Sequence, residues 1–218
     1  MTTAQRQASL RIGFVLTPGM LTTGTALPYE MWLAARDRRR AERRGDAGLQ
    51  LLLIAALPEA LDCGRLPISA DCTLAEAGRC DVVYLPALWR NPALLRARLA
   101  PLSAWLREQH EAGAQIAAVG TGVSLLADSG LLDGRPATTH WYNFERFERA
   151  HPRVDLKRQF FITQSGSLYC AASINSLADV SVHLIERAFD RATAQHVERN
   201  FSHEIRRTYE EYRYLDGG

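Results

Sequence analysis

Residues 114–141, AQIAAVGTGVSLLADSGLLDGRPATTHW, decide the fold. The stretch opens with a short apolar run, Ile116-Ala117-Ala118-Val119, of the kind that forms a strand buried on both faces. A glycine-bracketed turn, Gly120-Thr121-Gly122, leads into an apolar segment rich in Ala and Leu that reads as a helix. In α/β enzymes a strand-to-helix turn of small residues lifts one side chain above the carboxyl edge of the sheet, toward the N–H groups of the helix start. Gly130 and Gly134 punctuate LADSGLLDG, and the chain returns through Ala137-Thr138-Thr139-His140-Trp141. A turn residue followed by a histidine on the next element is the layout of a nucleophile and its base, here Thr121 and His140.

The run GTGVSLLADSGLLDGRPATTHW resembles the ThiJ/PfpI branch of the class I glutamine amidotransferase-like superfamily. Within it, the chain is most similar to the amidase-like domain of AraC-type transcription regulators, where a C-T/S-G turn precedes LLAxAGLLDGR and ATTHW. CAASINSLADVSVHLIE, residues 170–186, is similar to that family's TSAGxxAGIDLALHLVE: Asp179 and His183 keep their places, and Ser173 replaces a glycine. That serine either narrows the pocket mouth or adds a hydroxyl. The family's elbow cysteine is replaced by Thr121. Aligned on Pro28, the acidic residue that the family points at that cysteine falls at Gly24. Glu30 is the nearest carboxylate, and a solvated helix-start glutamate is its simpler role.

At 218 residues and 24.3 kDa the chain suits one α/β domain. A content of 47% hydrophobic and 23% charged residues is that of a globular protein. A net charge of +2 argues against DNA binding by this segment alone. Arg36-Asp37-Arg38-Arg39-Arg40 and Arg43-Arg44 interleave with Asp37, Glu42 and Asp46 near a helix C-terminus, which suits a solvated helix end. No apolar run reaches the roughly 20 residues of a membrane span, and MTTAQRQASL lacks the apolar region of a secretory signal. We therefore expect a cytoplasmic protein. Cys63, Cys72, Cys80 and Cys170 form no CxxC pair, so no metal, disulfide framework or cofactor is expected.

Around the deciding stretch, strands are expected at Leu10–Leu16, Leu49–Leu57 and Asp81–Leu85, and a helix from near Pro28. Pro58–Cys80 reads as a small hairpin or excursion. A helix capped by Asn91-Pro92 should run to about Gly113. Beyond His140, a helix is expected at Tyr142–Ala150, short strands at Val154–Leu156 and Gln159–Thr163, and a brief final strand at Leu168–Cys170. Two helices close the fold, Asn175–Phe189 and one from about Thr193. This alternation calls for a flavodoxin-like three-layer α/β/α sandwich with a mostly parallel sheet. Residues 1–9 would be a flexible N-terminus, 10–200 the domain, and 201–218 a tail or linker. In the regulators it resembles, such a tail leads to two helix-turn-helix units, which this sequence does not contain.

Gly24, Trp89, Thr121 and His140 should then meet around one crevice at the carboxyl ends of the strands. Threonine lacks an accessible anion, so catalysis would need His140 as its base. A Thr121–His140 hydrolase or lyase is thus the alternative reading, and use of a nearby thiol is part of it. The main reading is a non-catalytic site for a small metabolite, such as an amide or amino-acid derivative, formed by Gly120, Thr121, Gly122, His140, Trp141 and Trp89. Thr121 could equally serve as an N-cap of its own helix. The resemblance implies a homodimer that meets DNA only through a further C-terminal domain. A third possibility, a dimerisation module with no ligand, predicts a crevice filled by Trp89 and Trp141.

Overall fold

A computed structural model describes residues 9–42, 48–57, 68–89, 95–201 and 214–216. Its central sheet has eight strands in the order β10-β8-β9-β5-β4-β1-β2-β3. The strands are β1 Arg11–Leu16, β2 Gln50–Ala55, β3 Cys72–Thr73, β4 Val82–Leu85, β5 Gln115–Val119, β8 Ile162–Ser165, β9 Leu168–Ala171 and β10 Tyr214–Asp216. Every neighbouring pair is parallel except the β8–β9 hairpin. β6 Pro136–Ala137 and β7 Asp155–Leu156 form a separate parallel pair.

Both faces of the sheet are covered, and β5 shows why its sequence is apolar without a break. Ile116 and Ala118 enter one core cluster, while Ala117 and Val119 enter the other, as alternation along a strand requires. The first cluster takes in Leu102, Trp105 and Leu106 of α2 (Ala100–Glu111), Leu125 and Leu126 of α3 (Val123–Asp128) and Phe147 of α4 (Phe144–Ala150). The second takes in Met31, Trp32 and Ala35 of α1 (Thr23–Ala41), Leu177, Val180 and Leu184 of α5 (Ile174–Ala188) and Val197 of α6 (Arg191–Phe201). This is the three-layer sandwich expected.

Four local expectations are corrected. Helix α1 starts at Thr23, and Pro28 lies inside it. Bonds from Gly24 N to Leu21 O and from Ala26 N to Thr22 O have already set the helical path, so Pro28 forfeits only its own N–H bond. Helix α2 begins at Ala100, with Pro101 in its first turn, where a missing N–H costs nothing. The anticipated cap at Asn91-Pro92 lies outside the described residues. β3 joins the sheet parallel to β2, so of the hairpin or excursion expected at 58–80 the hairpin is absent among the described residues, and residues 58–67 lie outside them. Lastly, β9 is not the final strand, because β10 in the tail adds to the edge of β8. Residues 1–8 and the second arginine pair, Arg43-Arg44, also lie outside the described residues.

With a parallel sheet, the loops that follow β1, β4, β5 and β9 emerge on one edge. That edge holds the site.

Candidate functional site

A cleft of about 560 Å³ opens there, within the range of small-molecule sites. Leu21 reaches it after β1, Ala87, Leu88 and Trp89 after β4, Val119, Gly120 and Thr121 at the end of β5, and Ala172 to Asn175 after β9. His140 and Tyr142 close the remaining side. Trp89 is 76% exposed, Trp141 69% and Tyr142 73%. The tryptophans therefore do not fill the crevice, which removes the reading as a ligand-free plug.

The turn is built by its two glycines, for different reasons. Gly120 has φ +54°, a left-handed conformation that side-chain-bearing residues rarely adopt. Gly122 passes so close to the preceding loop that a Cβ there would lie 2.1 Å from the Pro86 carbonyl oxygen. A nucleophile elbow places its reactive residue at the strained point of the turn. Here that point is Gly120, one residue before Thr121: laid on Gly120-Thr121-Gly122, the C-T/S-G pattern puts the cysteine's place at Gly120, which corrects the expectation that Thr121 replaces it. A Cβ at Gly120 would sit 3.3 Å from the Ala87 Cβ and 3.8 Å from the His140 Cβ, between two walls of the cleft.

Thr121 is turned to other work. Its Oγ1 accepts a hydrogen bond from Leu88 N at 2.7 Å and donates one to Leu88 O at 2.8 Å. Both the proton and an acceptor lobe are thereby committed to the loop after β4, and the hydroxyl forms no pair with His140. The N-cap role is also absent, since no side-chain cap bond forms at this turn. The His140 ring stands beside Trp141 with centroids 5.5 Å apart.

The segment carrying His140 is stitched down on two sides. Thr139 Oγ1 donates to Gly120 O at 2.7 Å. Asn143 Nδ2 donates to Thr139 Oγ1 and to Ser124 Oγ. Thr138 N donates to Thr163 Oγ1 of β8 at 3.1 Å, and Thr138 Oγ1 donates to Phe160 O at 2.8 Å. Thr138 and Thr139 are fully buried. These threonines orient the histidine and cannot meet a ligand.

No described thiol is poised as a substitute nucleophile. Burial pushes Cys170 up to about 12 and Cys80 up to about 11, and it also raises Cys72. A thiol held protonated in this way is a poor nucleophile. Cys63 lies outside the described residues. No group of three or more His, Cys, Asp or Glu side chains is placed to hold a metal ion among the described residues.

Of the sequence-derived candidates, Gly120, Thr121, His140 and Trp89 line the cleft, whereas Gly122 is buried beneath it and Trp141 stands outside its lining. Gly24 lies against the walls, its would-be Cβ 3.4 Å from Ala87 N and from Val119 Cγ1. Glu30 points to solvent, as an unengaged helix glutamate would. Ser173 caps α5: its Oγ accepts from Ser176 N at 3.2 Å and lies 3.0 Å from Ser176 Oγ. Leu21, Ala87, Leu88, Tyr142, Ile174 and Asn175 were not singled out from sequence. The signal for them was topological, because each except Tyr142 lies within five residues of a parallel strand's carboxyl end.

The profile of the DJ-1/PfpI family matches residues 37–187. The HTH-type transcriptional regulator CdhR of Pseudomonas aeruginosa is 27% identical over 190 residues, 86% of this chain and 53% of that protein. The regulator ArgR of the same organism is 33% identical over 159 residues, 73% of this chain and 44% of that protein. The chain thus spans about half the length of these curated relatives. In fold it is similar to a transcriptional regulator protein from Vibrio parahaemolyticus, with TM-score 0.77, 19% identity and coverage of 89% of this chain and 100% of that one. An AraC family regulator from Pseudomonas putida aligns with TM-score 0.72 and 17% identity over 88% of this chain and 100% of that one.

Proposed function

This chain belongs to the DJ-1/PfpI family, and we propose that it is the ligand-sensing, non-catalytic domain of an AraC-type transcription regulator. The observation that carries the reading is an open cleft whose elbow offers no nucleophile. Gly120 occupies the left-handed position, and the Thr121 hydroxyl is committed to Leu88. Loss of both the elbow cysteine and, at Gly24, the family's acid is what a catalytic scaffold turned to binding would display. The cleft's apolar walls, with His140, Tyr142 and Asn175 as hydrogen-bonding groups, suit a small metabolite such as an amide or amino-acid derivative. The similarity to HTH-type regulators supports DNA-binding units that belong to a further part of the protein, and the domain would act as a homodimer. Occupancy of the cleft would then alter how those units are presented to DNA, inside the cytoplasm.

The test is thermal denaturation against a panel of small amides and amino acids. A binder at one hundred times its Kd stabilises the native state by about 2.7 kcal/mol, or roughly 5–10 °C for a domain of this size. Asn175→Trp, a bulky change at an exposed cleft position, should abolish the shift. Turnover of an amide or ester that vanished in His140→Ala would instead support the hydrolase reading.

A further inference from the structure

The cleft and the tail are joined by one short, continuous set of contacts. Gly120, on the cleft floor, offers its carbonyl to the Thr139 hydroxyl. The adjacent residue, Thr138, gives its N–H to the Thr163 hydroxyl at the middle of β8. On its other edge β8 carries β10 in parallel register, with Leu215 opposite that same Thr163, Tyr214 opposite Ile162 and Asp216 opposite Gln164. His140, which follows Thr139, lines the cleft. A displacement of the Gly120–His140 wall therefore reaches β8 through two hydrogen bonds to fully buried threonines, with no solvent-filled gap to absorb it. A three-residue strand on a sheet edge is held by few bonds, and such elements open at low free-energy cost.

We infer that the outer edge of β8 is the domain's output surface and that its occupant is the chain's own tail, Tyr214–Asp216. The Thr139–Gly120 and Thr138–Thr163 bonds couple occupancy of the cleft to the pairing of that tail. Such coupling needs an element with two arrangements that the cleft can bias. Paired and released β10 are those arrangements. This inference rests on the sensing reading and adds to it the route by which binding leaves the domain.

Hydrogen exchange of the 218-residue chain, read by mass spectrometry on peptides covering 162–165 and 214–216, tests it. In the native protein residues 214–216 should be protected. Thr139→Val and Thr163→Val each remove one link while keeping the side chain's shape. Either should speed exchange at 214–216 by about tenfold, with Thr139→Ser behaving as native. To fill the cleft without a known ligand, Gly120→Cys is alkylated with iodoacetamide. In a chain that also carries Cys63→Ser and Cys72→Ser, its sulfur bonds the acetamide methylene carbon and iodide leaves, while the buried Cys80 and Cys170 thiols react slowly. Alkylation should change exchange at 214–216 at least about threefold, and Thr139→Val in the same chain should cancel that change. Unprotected 214–216 in the native chain, or protection indifferent to alkylation and to both valine variants, overturns the coupling. The sensing reading falls separately, on the ligand panel.

Discussion

At the scale of single residues, Thr121 and Gly122 show how the turn after β5 is held in shape by the loop after β4. The Thr121 hydroxyl satisfies both the N–H and the carbonyl of Leu88, which is itself buried. Thr121→Val leaves both backbone groups without that partner, and should destabilise the domain by about 1–3 kcal/mol in urea denaturation. The same change should leave the affinity of any ligand found by thermal screening within a few-fold, because the hydroxyl faces the loop. Loss of binding with unchanged stability would show that Thr121 serves the ligand instead. Gly122→Ala sets a Cβ against the Pro86 carbonyl oxygen, and a backbone atom cannot step aside as a flexible side chain does. We expect roughly 3 kcal/mol or more of destabilisation, or no soluble protein. The glycine bracket was legible in the sequence because few other residues make so tight a turn. Which of its three residues takes the strained position was legible only in the C-T/S-G pattern, whose first place falls on Gly120. The close approach of the Pro86 carbonyl to Gly122 is a tertiary contact with no mark in local spacing.

At the scale of elements, α3, α4 and the turns preceding α2 converge on His151. Its Nε2 lies 3.7 Å from Asp128 Oδ1 and 3.4 Å from Arg96 Nη2, and Arg96 also pairs with Asp128 at 2.7 Å. Desolvation holds His151 below the ordinary histidine range. Asp128 and Asp133 pull it upward, and Arg96 adds to the lowering. A histidine whose folded value is depressed binds its proton more readily in the unfolded chain. Its contribution is present above the unfolded value and is lost as pH falls through the folded one. Stability measured by denaturant titration should therefore decline from neutral pH toward the folded value, and His151→Gln should flatten that decline. An unchanged pH profile in the variant would place the acid sensitivity elsewhere. Element types were largely readable from apolar spacing, as for β1, β5 and α5. Their ends were less so: α1 passes through Pro28 because its path is set by Thr22 and Gly24, and α2 waits for Pro101. β10 is too short to show a period of its own, and it becomes a strand only by pairing with β8.

At the scale of the whole molecule, the arginine-rich end of α1 is the basic feature that a proposed regulator of DNA would be asked to explain. Arg36 pairs with Asp37 at 3.0 Å, Arg38 with Glu42 at 2.6 Å and Arg39 with Asp190 at 3.0 Å. The Arg39 guanidinium also lies 4.8 Å from the centre of the Phe189 ring, tying α1 to the end of α5. Cations already neutralised by protein carboxylates release few counterions from a duplex, and a net charge of +2 adds little long-range attraction. The 218-residue chain alone should therefore show no retardation of duplex DNA at micromolar protein and about 150 mM salt. Asp190→Asn, which removes the carboxylate charge beside Arg39, should cost a little stability without creating DNA affinity. Tight binding with a steep salt dependence, lost on reversing the charges of Arg36 and Arg40, would instead make α1 a DNA-contacting face. It would also remove the need for separate DNA-binding units. With binding absent, the influence on DNA that we propose for the domain would leave through a connection rather than a charged surface, and β10 on the edge of β8 is where the fold provides one.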